Sequence, residues 1–175
     1  MREYKYCRER VAGIKARLEA EGYNVIYIVT PEEKDISLAT RVARANAKYA
    51  ELKKKGMTGF LISVHNNAAG NGKWMNATGW SVFLSPNASS NSKKLGGFLF
   101  DAADNYGTKT RKPSANQKYW VSNLYICKNT NCPCVLTENF FMDNKAECEW
   151  MLTDNGKETV ERIHVSGIKK YIASL

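Results

Sequence analysis

The stretch FLISVHNN, residues 60–67, decides the fold. Its first five residues are apolar apart from Ser63, and a short run of this kind is typical of a buried strand in a parallel sheet. The run ends in three polar residues, His65, Asn66 and Asn67. In open parallel sheets, ligands bind beyond the carboxyl ends of the strands. The segment therefore predicts a central strand and also the edge of the sheet where a functional site is expected.

Helical patterns flank this strand on both sides. Residues 1–21 carry one apolar stripe at spacings of three and four residues, and Gly22 follows as a C-cap. Ser37 can cap a second helix that ends at Gly56. Three further helices are predicted over residues 90–106, 144–152 and 157–173.

β-branched and aromatic runs predict the remaining strands, which are Tyr23–Val29, Trp80–Leu84, Trp120–Cys127 and Cys134–Thr137. Because strands alternate with helices, the chain is predicted to form an α/β fold. We expect a single three-layer domain over residues 1–175, with a mostly parallel central sheet of about five strands flanked by helices.

Length and charge limit the class of protein. The chain has 175 residues and carries 26 Lys and Arg against 17 Asp and Glu, for a net charge of +9. This surplus favours polyanionic partners such as nucleic acid, an anionic membrane or cell-wall polymers, although a solvated basic surface explains it equally well. No apolar run approaches the roughly 20 residues of a membrane helix. The N-terminal segment MREYKYCRER lacks the apolar core of a signal peptide, so we expect synthesis in the cytoplasm without membrane insertion.

Five cysteines are present, at positions 7, 127, 132, 134 and 148. An odd number in a chain of this length argues against a disulfide scaffold. The C-P-C spacing of residues 132–134 also differs from the C-x-x-C of zinc and redox motifs. We therefore expect reduced, mostly buried thiols.

Four side chains are candidates for chemistry. His65, at a strand end, could be a metal ligand, a general base or a partner in a loop hydrogen bond. Glu138, in VLTENFF, lies in apolar surroundings that suit a general acid or base, although a salt-bridged or solvent-facing glutamate has the same pattern. Glu3 lies in a first helical turn, where the helix dipole favours a carboxylate. His164 is placed like a partly buried helix histidine.

Taken together, these segments resemble the zinc-dependent N-acetylmuramoyl-L-alanine amidases, the family of autolysins, sporulation amidases and phage endolysins. SVHNNA (residues 63–68) and CPCVLTENFFMDN (132–144) carry the more specific likeness. DISLATRVARANA (35–47) and TGWSVFLS (78–85) add weaker support.

The resemblance implies a role for three residues. Glu3, in REYKYCRE, and His65 would be ligands of Zn²⁺, and Glu138 would be the catalytic carboxylate. The reaction implied is hydrolysis of the amide between N-acetylmuramic acid and L-alanine in bacterial peptidoglycan. A monomer acting on the cell wall is expected.

The chain departs from this family at its N-terminus. The family places its first metal histidine in a glycine-containing loop after an initial strand, ahead of the glutamate-bearing helix, whereas only two residues precede Glu3 here. The resemblance thus implies an N-terminally incomplete domain with two of three zinc ligands. Three explanations stay open: a truncated or misassigned start, a non-catalytic relative, or completion of the site by another group such as His164.

Loops 66–79 and 107–118 are expected to border the substrate groove. Asn66, Lys73, Trp74 and Arg111 are the candidate substrate contacts, and an arginine can bind a stem-peptide carboxylate through two hydrogen bonds. Two other functions stay open. One is a non-catalytic peptidoglycan-binding remnant of the same family. The other is a nucleic-acid-binding domain, which the interleaved basic and aromatic residues at 73–74 and 118–120 permit; peptidoglycan is the favoured partner.

Overall fold

The structure, a computed structural model, describes residues 1–70 and 72–175. Six helices and four strands follow one another along this part of the chain. In order they are α1 (Glu3–Ala20), α2 (Leu38–Lys54), β1 (Leu61–Asn67), β2 (Ser81–Leu84), α3 (Ser90–Asn105), β3 (Trp120–Val121), α4 (Tyr125–Asn129), β4 (Cys134–Phe141), α5 (Lys145–Leu152) and α6 (Asp154–Ile172).

The strands form one sheet in the order β1-β4-β2-β3. β1 pairs with β4 in parallel, and β2 pairs with β3 in parallel. β2 and β4 are antiparallel. Two of the three pairings are therefore parallel, which confirms the predicted α/β fold with a mostly parallel sheet.

The helices cover both faces of the sheet, so the domain has the expected three layers. One face packs against α1, α3, α5 and α6 through side chains that include the fully buried Val82, Leu84 and Val135. The opposite face packs against α2 and α4 through Leu136 and Cys134. Successive residues of a strand point to opposite faces, so β4 contributes to both halves of the core.

The helix predictions are confirmed within a few residues. Ser37 caps α2 by accepting a hydrogen bond from the backbone N–H of Thr40. α6 begins at Asp154, three residues before the predicted start, because the Thr153 side chain caps it by accepting from the N–H of Gly156.

The prediction of a strand over Tyr23–Val29 was wrong, which leaves four strands rather than about five. The segment is irregular, although it is rich in residues that favour strands. Its carbonyl groups bond instead to side chains: Lys15 donates to the carbonyl of Val25, and Arg44 donates to that of Ile28. Composition favours a strand here, but the described structure provides no neighbouring strand for this backbone to pair with.

A cavity of about 700 Å³ lies between residues 25–29, α1 and the free edge of β1. A second cavity of about 440 Å³ shares that part of the wall and continues toward α2 and α6. The outer edge of β1 therefore faces open space rather than a neighbouring strand.

The predicted strand over Trp120–Cys127 was also wrong for most of its length. Only Trp120 and Val121 pair with β2, and the short helix α4 begins at Tyr125. Ile126 and Cys127 on that helix are buried against α2 and β4. Burial of these apolar residues is thus achieved by a helical turn, which periodicity over so short a segment cannot distinguish from a strand.

All five cysteines are free and buried, as predicted. In the described part of the chain, no helix combines the length and the apolar character needed to cross a membrane.

Candidate active site

His65 and Glu138 lie side by side on neighbouring strands. They are register partners where β1 and β4 run in parallel, so their side chains lie on the same face of the sheet. That face is the one covered by α2 and α4, because Glu138 shares it with Leu136. The two predicted strand-end residues are therefore brought together, close to the carboxyl end of β1.

Glu3 joins them from the first turn of α1. Its Oε1 atom accepts a hydrogen bond from His65 Nδ1 at 2.9 Å and a second one from the backbone N–H of Asn66 at 3.3 Å. The bond from His65 lowers the pKa of Glu3 below its ordinary value, against the opposing effect of burial. An ionised carboxylate only accepts hydrogen bonds, so Nδ1 of His65 carries the proton.

A buried ion network holds α1 in place behind Glu3. Arg10 and Arg17 on α1 both bond to the carboxylate of Glu161 on α6, at 2.7 and 2.9 Å. Gly13 makes this approach possible, because a Cβ atom there would lie 2.2 Å from the Glu161 carboxylate. Removing one partner of a buried pair costs about 3–5 kcal/mol, so this network fixes the position of the helix that presents Glu3.

Glu138 has the features expected of a general acid or base. It is the one residue of β4 that is not buried, yet its Oε2 atom is enclosed and makes no hydrogen bond within residues 1–70 and 72–175. Burial raises the pKa of Glu138 to about 7; His65 nearby lowers it and Glu3 raises it. A carboxyl group with a pKa near neutrality can both take up and release a proton at physiological pH.

Glu3 and His65 fit a zinc ion in donor chemistry, since imidazole nitrogen and carboxylate oxygen are ordinary zinc ligands. A catalytic zinc takes three protein ligands, however. In the part of the chain that the structure describes, no group of three His, Cys, Asp or Glu side chains is arranged to hold a metal ion. The donor set is thus of the right type and incomplete.

His164 does not complete that set. Its ring is fully buried on the face of the sheet opposite to His65 and Glu138, where Nδ1 lies 2.8 Å from the carbonyl oxygen of Val160 and Nε2 lies 2.9 Å from Thr137 Oγ1. Burial lowers the pKa of His164 to about 4, so the ring is neutral near pH 7. It is a core histidine, as its position in the helix suggested.

The four predicted substrate contacts fall into two groups. Asn66 is turned into the core, where its side chain bonds to Cys7, Met151 and the carbonyl of Asn139, so its amide group has no atom left for a substrate. Lys73 and Trp74 are exposed on the loop after β1, with 62% of the Trp74 surface accessible.

Arg111 is partly buried. Its guanidinium lies 4.8 Å above the ring of Phe141, at the end of β4. That places a basic group beside the edge of the sheet where His65 and Glu138 lie.

Glu147 is a residue that the sequence prediction missed. Its carboxylate accepts hydrogen bonds from the Thr78 hydroxyl, the Gly79 N–H and the Phe141 N–H, and so ties the loop after β1 to the end of β4. The signal that could have revealed it is the spacing from Asn144, which caps α5 by accepting from the Glu147 N–H.

The basic and aromatic residues at 118–120 are largely used in internal contacts. Lys118 forms an ion pair with Asp101 at 2.6 Å, and the ring of Trp120 stacks on Phe83 with 6.4 Å between centroids. These contacts give this cluster a structural role, and the exposed pair Lys73 and Trp74 is the other basic and aromatic feature that suggested nucleic-acid binding.

Comparison with known proteins decides the family. A family model described as N-acetylmuramoyl-L-alanine amidase matches residues 1–170. The chain belongs to the N-acetylmuramoyl-L-alanine amidase family. Among relatives of this amidase-family chain, an endolysin of Bacillus phage SPP1 is 30% identical over 136 residues, which are 77% of this chain and 45% of the endolysin. A probable cell wall amidase, LytH, of Staphylococcus epidermidis is 29% identical over 77% of this chain and 43% of its own. The chain spans less than half the length of these relatives.

Solved structures of amidases share the fold. The N-acetylmuramyl-L-alanine amidase Ami1 from Mycobacterium smegmatis superimposes with a TM-score of 0.83 at 16% identity, over 99% of this chain and 78% of that one. The catalytic domain of CwlV from Paenibacillus polymyxa gives a TM-score of 0.76 at 17% identity, over 96% and 83% of the two chains. At these identities the likeness extends to the architecture of the domain alone.

Proposed function

We propose that this chain is a peptidoglycan hydrolase that cleaves the amide between N-acetylmuramic acid and L-alanine in the bacterial cell wall. The observation that carries the proposal is the enclosed, unpartnered carboxylate of Glu138 in register with His65, which is itself bonded to Glu3. The family membership and the cell-wall relatives support the choice of substrate.

In this proposal Glu138 moves the proton. Its ionised carboxylate accepts a proton from the attacking water and then returns it to the alanine nitrogen as the C–N bond breaks. The pKa of about 7 suits both steps, since a group that gives and takes a proton works best near the operating pH. The free Oε2 atom is the acceptor available for the proton.

Zn²⁺ is the cofactor that we propose, with Glu3 and His65 as two of its ligands. When bound, the ion supplies a nucleophilic water at neutral pH and polarises the scissile carbonyl. A third zinc ligand has to come from a group other than Glu3, His65 and Glu138. The cavity of about 700 Å³ that is lined by both Glu3 and His65 offers room for such a group. Lys73, Trp74 and Arg111 are proposed to contact the glycan and the stem peptide.

Digestion of purified peptidoglycan with equimolar Zn²⁺ tests the activity, with newly exposed L-alanine amino groups as the readout. We expect release by the wild-type chain and none by Glu138→Gln, which keeps the shape of the side chain but cannot accept the proton. Equal release by both would contradict the role of Glu138.

The incomplete ligand set favours one second candidate, a wall-binding protein that hydrolyses nothing. Sedimentation with insoluble peptidoglycan separates the two functions. Binding without release of amino groups, both in the wild-type chain and in a fusion that adds an upstream histidine-bearing strand, would support the wall-binding role. Release only from the fusion would support the amidase and place the third ligand on the added strand.

A further inference from the structure

A buried polar cluster lies directly behind the site, on the other face of the sheet. Asn139 follows Glu138 in β4 and is 1% exposed, and its neighbours Trp80, Thr137 and His164 are fully buried. Buried polar side chains of this kind are stable only when their hydrogen bonds are satisfied. The bonds of this cluster leave little freedom in how its atoms are arranged.

The orientation of the Asn139 amide follows from its partners. Trp80 Nε1 lies 2.7 Å from one amide atom, and an indole N–H only donates, so that atom is the oxygen. The amide nitrogen therefore faces the carbonyl of His65, to which it donates at 2.9 Å. It also lies 3.3 Å from Thr137 Oγ1. A flip of the amide would break the bonds to both Trp80 and His65.

The bond to His65 bridges an irregularity in the sheet. The register runs from the pair His65 and Glu138 to the pair Asn67 and Phe141, so β4 contains one more residue than β1 over this step. Phe140, inside this bulge, has a left-handed φ of 63°, a conformation that residues with side chains rarely adopt. A bulge interrupts the backbone ladder at the point where the two site residues lie.

Asn66 makes the complementary bond from the other strand. Its Nδ2 atom donates to the carbonyl of Asn139, while Asn139 donates to the carbonyl of His65. Each of the two asparagines thus bonds to the main chain of the opposite strand across the bulge. We refer to Asn66 and Asn139 as the asparagine clamp.

We propose that the asparagine clamp positions the site: by fixing the His65 carbonyl and the bulge after Glu138, it sets the imidazole of His65 against the Glu138 carboxylate. Neither asparagine contacts a reacting atom in this proposal, so both are positioning residues. The clamp matters because side chains alternate between faces along a strand, and a slip of one residue in this ladder would turn Glu138 away from His65. The zinc-affinity and turnover readouts rest on the proposed function, and the histidine spectra do not.

The test compares Asn139→Leu with Thr137→Val. Both substitutions remove polar groups from the same buried cluster with little change in shape, but only the first removes the donor to His65. The chain has two histidines, so imidazole ¹H–¹⁵N spectra resolve His65 and His164 separately. We expect Asn139→Leu to shift the His65 signals, and Thr137→Val to shift those of His164 while leaving His65 unchanged.

Zinc affinity and turnover extend the same comparison. Loss of a group that orients a metal ligand typically costs about 10–100-fold in affinity or activity. We expect Asn139→Leu to weaken zinc binding by that factor and to lower kcat with KM unchanged, whereas Thr137→Val keeps both near the wild-type values. If neither the wild-type chain nor a variant hydrolyses peptidoglycan, the spectra still test the asparagine clamp. The clamp and the proposed hydrolytic function can therefore be contradicted independently. Equal effects of the two variants on the His65 signals would overturn the clamp.

A second variant covers the case in which Asn139→Leu does not fold. Trp80→Phe leaves Asn139 in place and removes the donor that fixes the orientation of its amide. We expect the His65 signals to shift in the same direction by a smaller amount. Unchanged His65 signals in a folded Trp80→Phe variant would overturn the proposal.

Discussion

β1 and β4 lie side by side and supply the two halves of the site, but they are built differently. Every residue of β4 is buried except Glu138, and the strand is paired on both sides. Every residue of β1 is partly accessible except Asn66, and the strand is paired on one side only. In β4 only the Glu138 carboxylate is accessible within an otherwise buried strand. In β1 only the Asn66 amide is buried within an otherwise accessible strand.

The difference in burial between β4 and β1 indicates that the two strands have different roles. β4 is held by the cores on both faces of the sheet, so its carboxylate is enclosed by residues that cannot easily move. β1 is held by its ladder with β4, by the partly buried Leu61 and Ile62 at the edge of the core, by the bond from His65 to Glu3 and by the asparagine clamp. We expect β4 to determine stability and proton transfer, and β1 to determine ligand binding.

The largest expected effect separates the two site residues by role. Glu138→Gln should lower kcat by about 10²–10⁴-fold, the usual contribution of a general acid or base, and should leave zinc binding near its wild-type strength. His65→Asn should lose zinc binding and turnover together, because it removes a proposed ligand. Calorimetric zinc titration alongside the digestion assay checks both variants. Weaker zinc binding in Glu138→Gln than in His65→Asn would reverse this division of roles.

A matched pair of leucines tests the stability half of the comparison. Leu136 in β4 is buried, whereas Leu61 in β1 is only partly buried at the edge of the same core cluster. Replacement of a buried leucine by alanine costs about 2–5 kcal/mol. We expect Leu136→Ala to fall in that range and Leu61→Ala to cost roughly half as much, because the leucine in β1 buries less apolar surface. Urea denaturation gives both values, and an equal loss would show that β1 is packed as tightly as β4.

The histidine behind β4 should make stability depend on pH. The pKa of His164 is lowered to about 4 by burial, while in the unfolded chain it takes the ordinary value of about 6.5. Between these values the unfolded state binds more protons, so stability falls as the pH drops from 6.5 to 4 and levels off below. The loss from this group is at most about 3 kcal/mol.

His164→Asn is the control for that effect. The variant lacks the buried ring, so the free energy of unfolding should change less between pH 7 and pH 4 than in the wild-type chain. Subtraction of the two profiles removes the contribution of the carboxyl groups. A difference profile that is flat over this range would contradict the assignment of a neutral, buried His164.

The helices and the edge of the sheet could be predicted from local sequence. The helix α1, the cap at Ser37 and the apolar run before His65 depend only on residues close together in the chain, and each lies where the pattern placed it, although Tyr4 at the start of the predicted stripe is 57% exposed. Glu138 was predicted to follow a buried strand that ends at Thr137, and the strand instead continues past it to Phe141. Its pairing with His65 follows once the two strands are parallel neighbours.

The rest depends on contacts between distant residues, which a local pattern does not contain. Tyr23–Val29 has strand composition, but a strand exists only if a partner backbone lies beside it. Asn66 was expected to contact a substrate as the first residue of the loop 66–79, and instead it reaches Asn139, which is 73 residues further along. The bulge at Phe140 is equally non-local, since the sequence offers no glycine to mark the left-handed position.

The smallest expected effect concerns Arg111 and Trp74, which border the site. Arg111→Ala removes the guanidinium above the buried ring of Phe141, and a cation–π contact is worth about 0.5–2 kcal/mol depending on its desolvation, so the free energy of unfolding should fall by no more than that. If Arg111 also binds a stem-peptide carboxylate, KM should rise about 10–150-fold, because one charge-assisted hydrogen bond is worth about 1.5–3 kcal/mol.

Arg111→Lys keeps the charge but loses the paired hydrogen bonds, and should give an intermediate KM. Trp74→Ala in the loop after β1 should raise KM without any effect on unfolding, because the side chain is mostly exposed. These changes would extend the division of roles to the loops: residues beyond the ends of both strands would affect substrate binding and leave kcat unchanged. If Arg111→Ala instead lowered kcat at unchanged KM, this arginine would act at the bond that is cleaved. The proposed division between substrate-binding loop residues and the catalytic Glu138 would then be wrong.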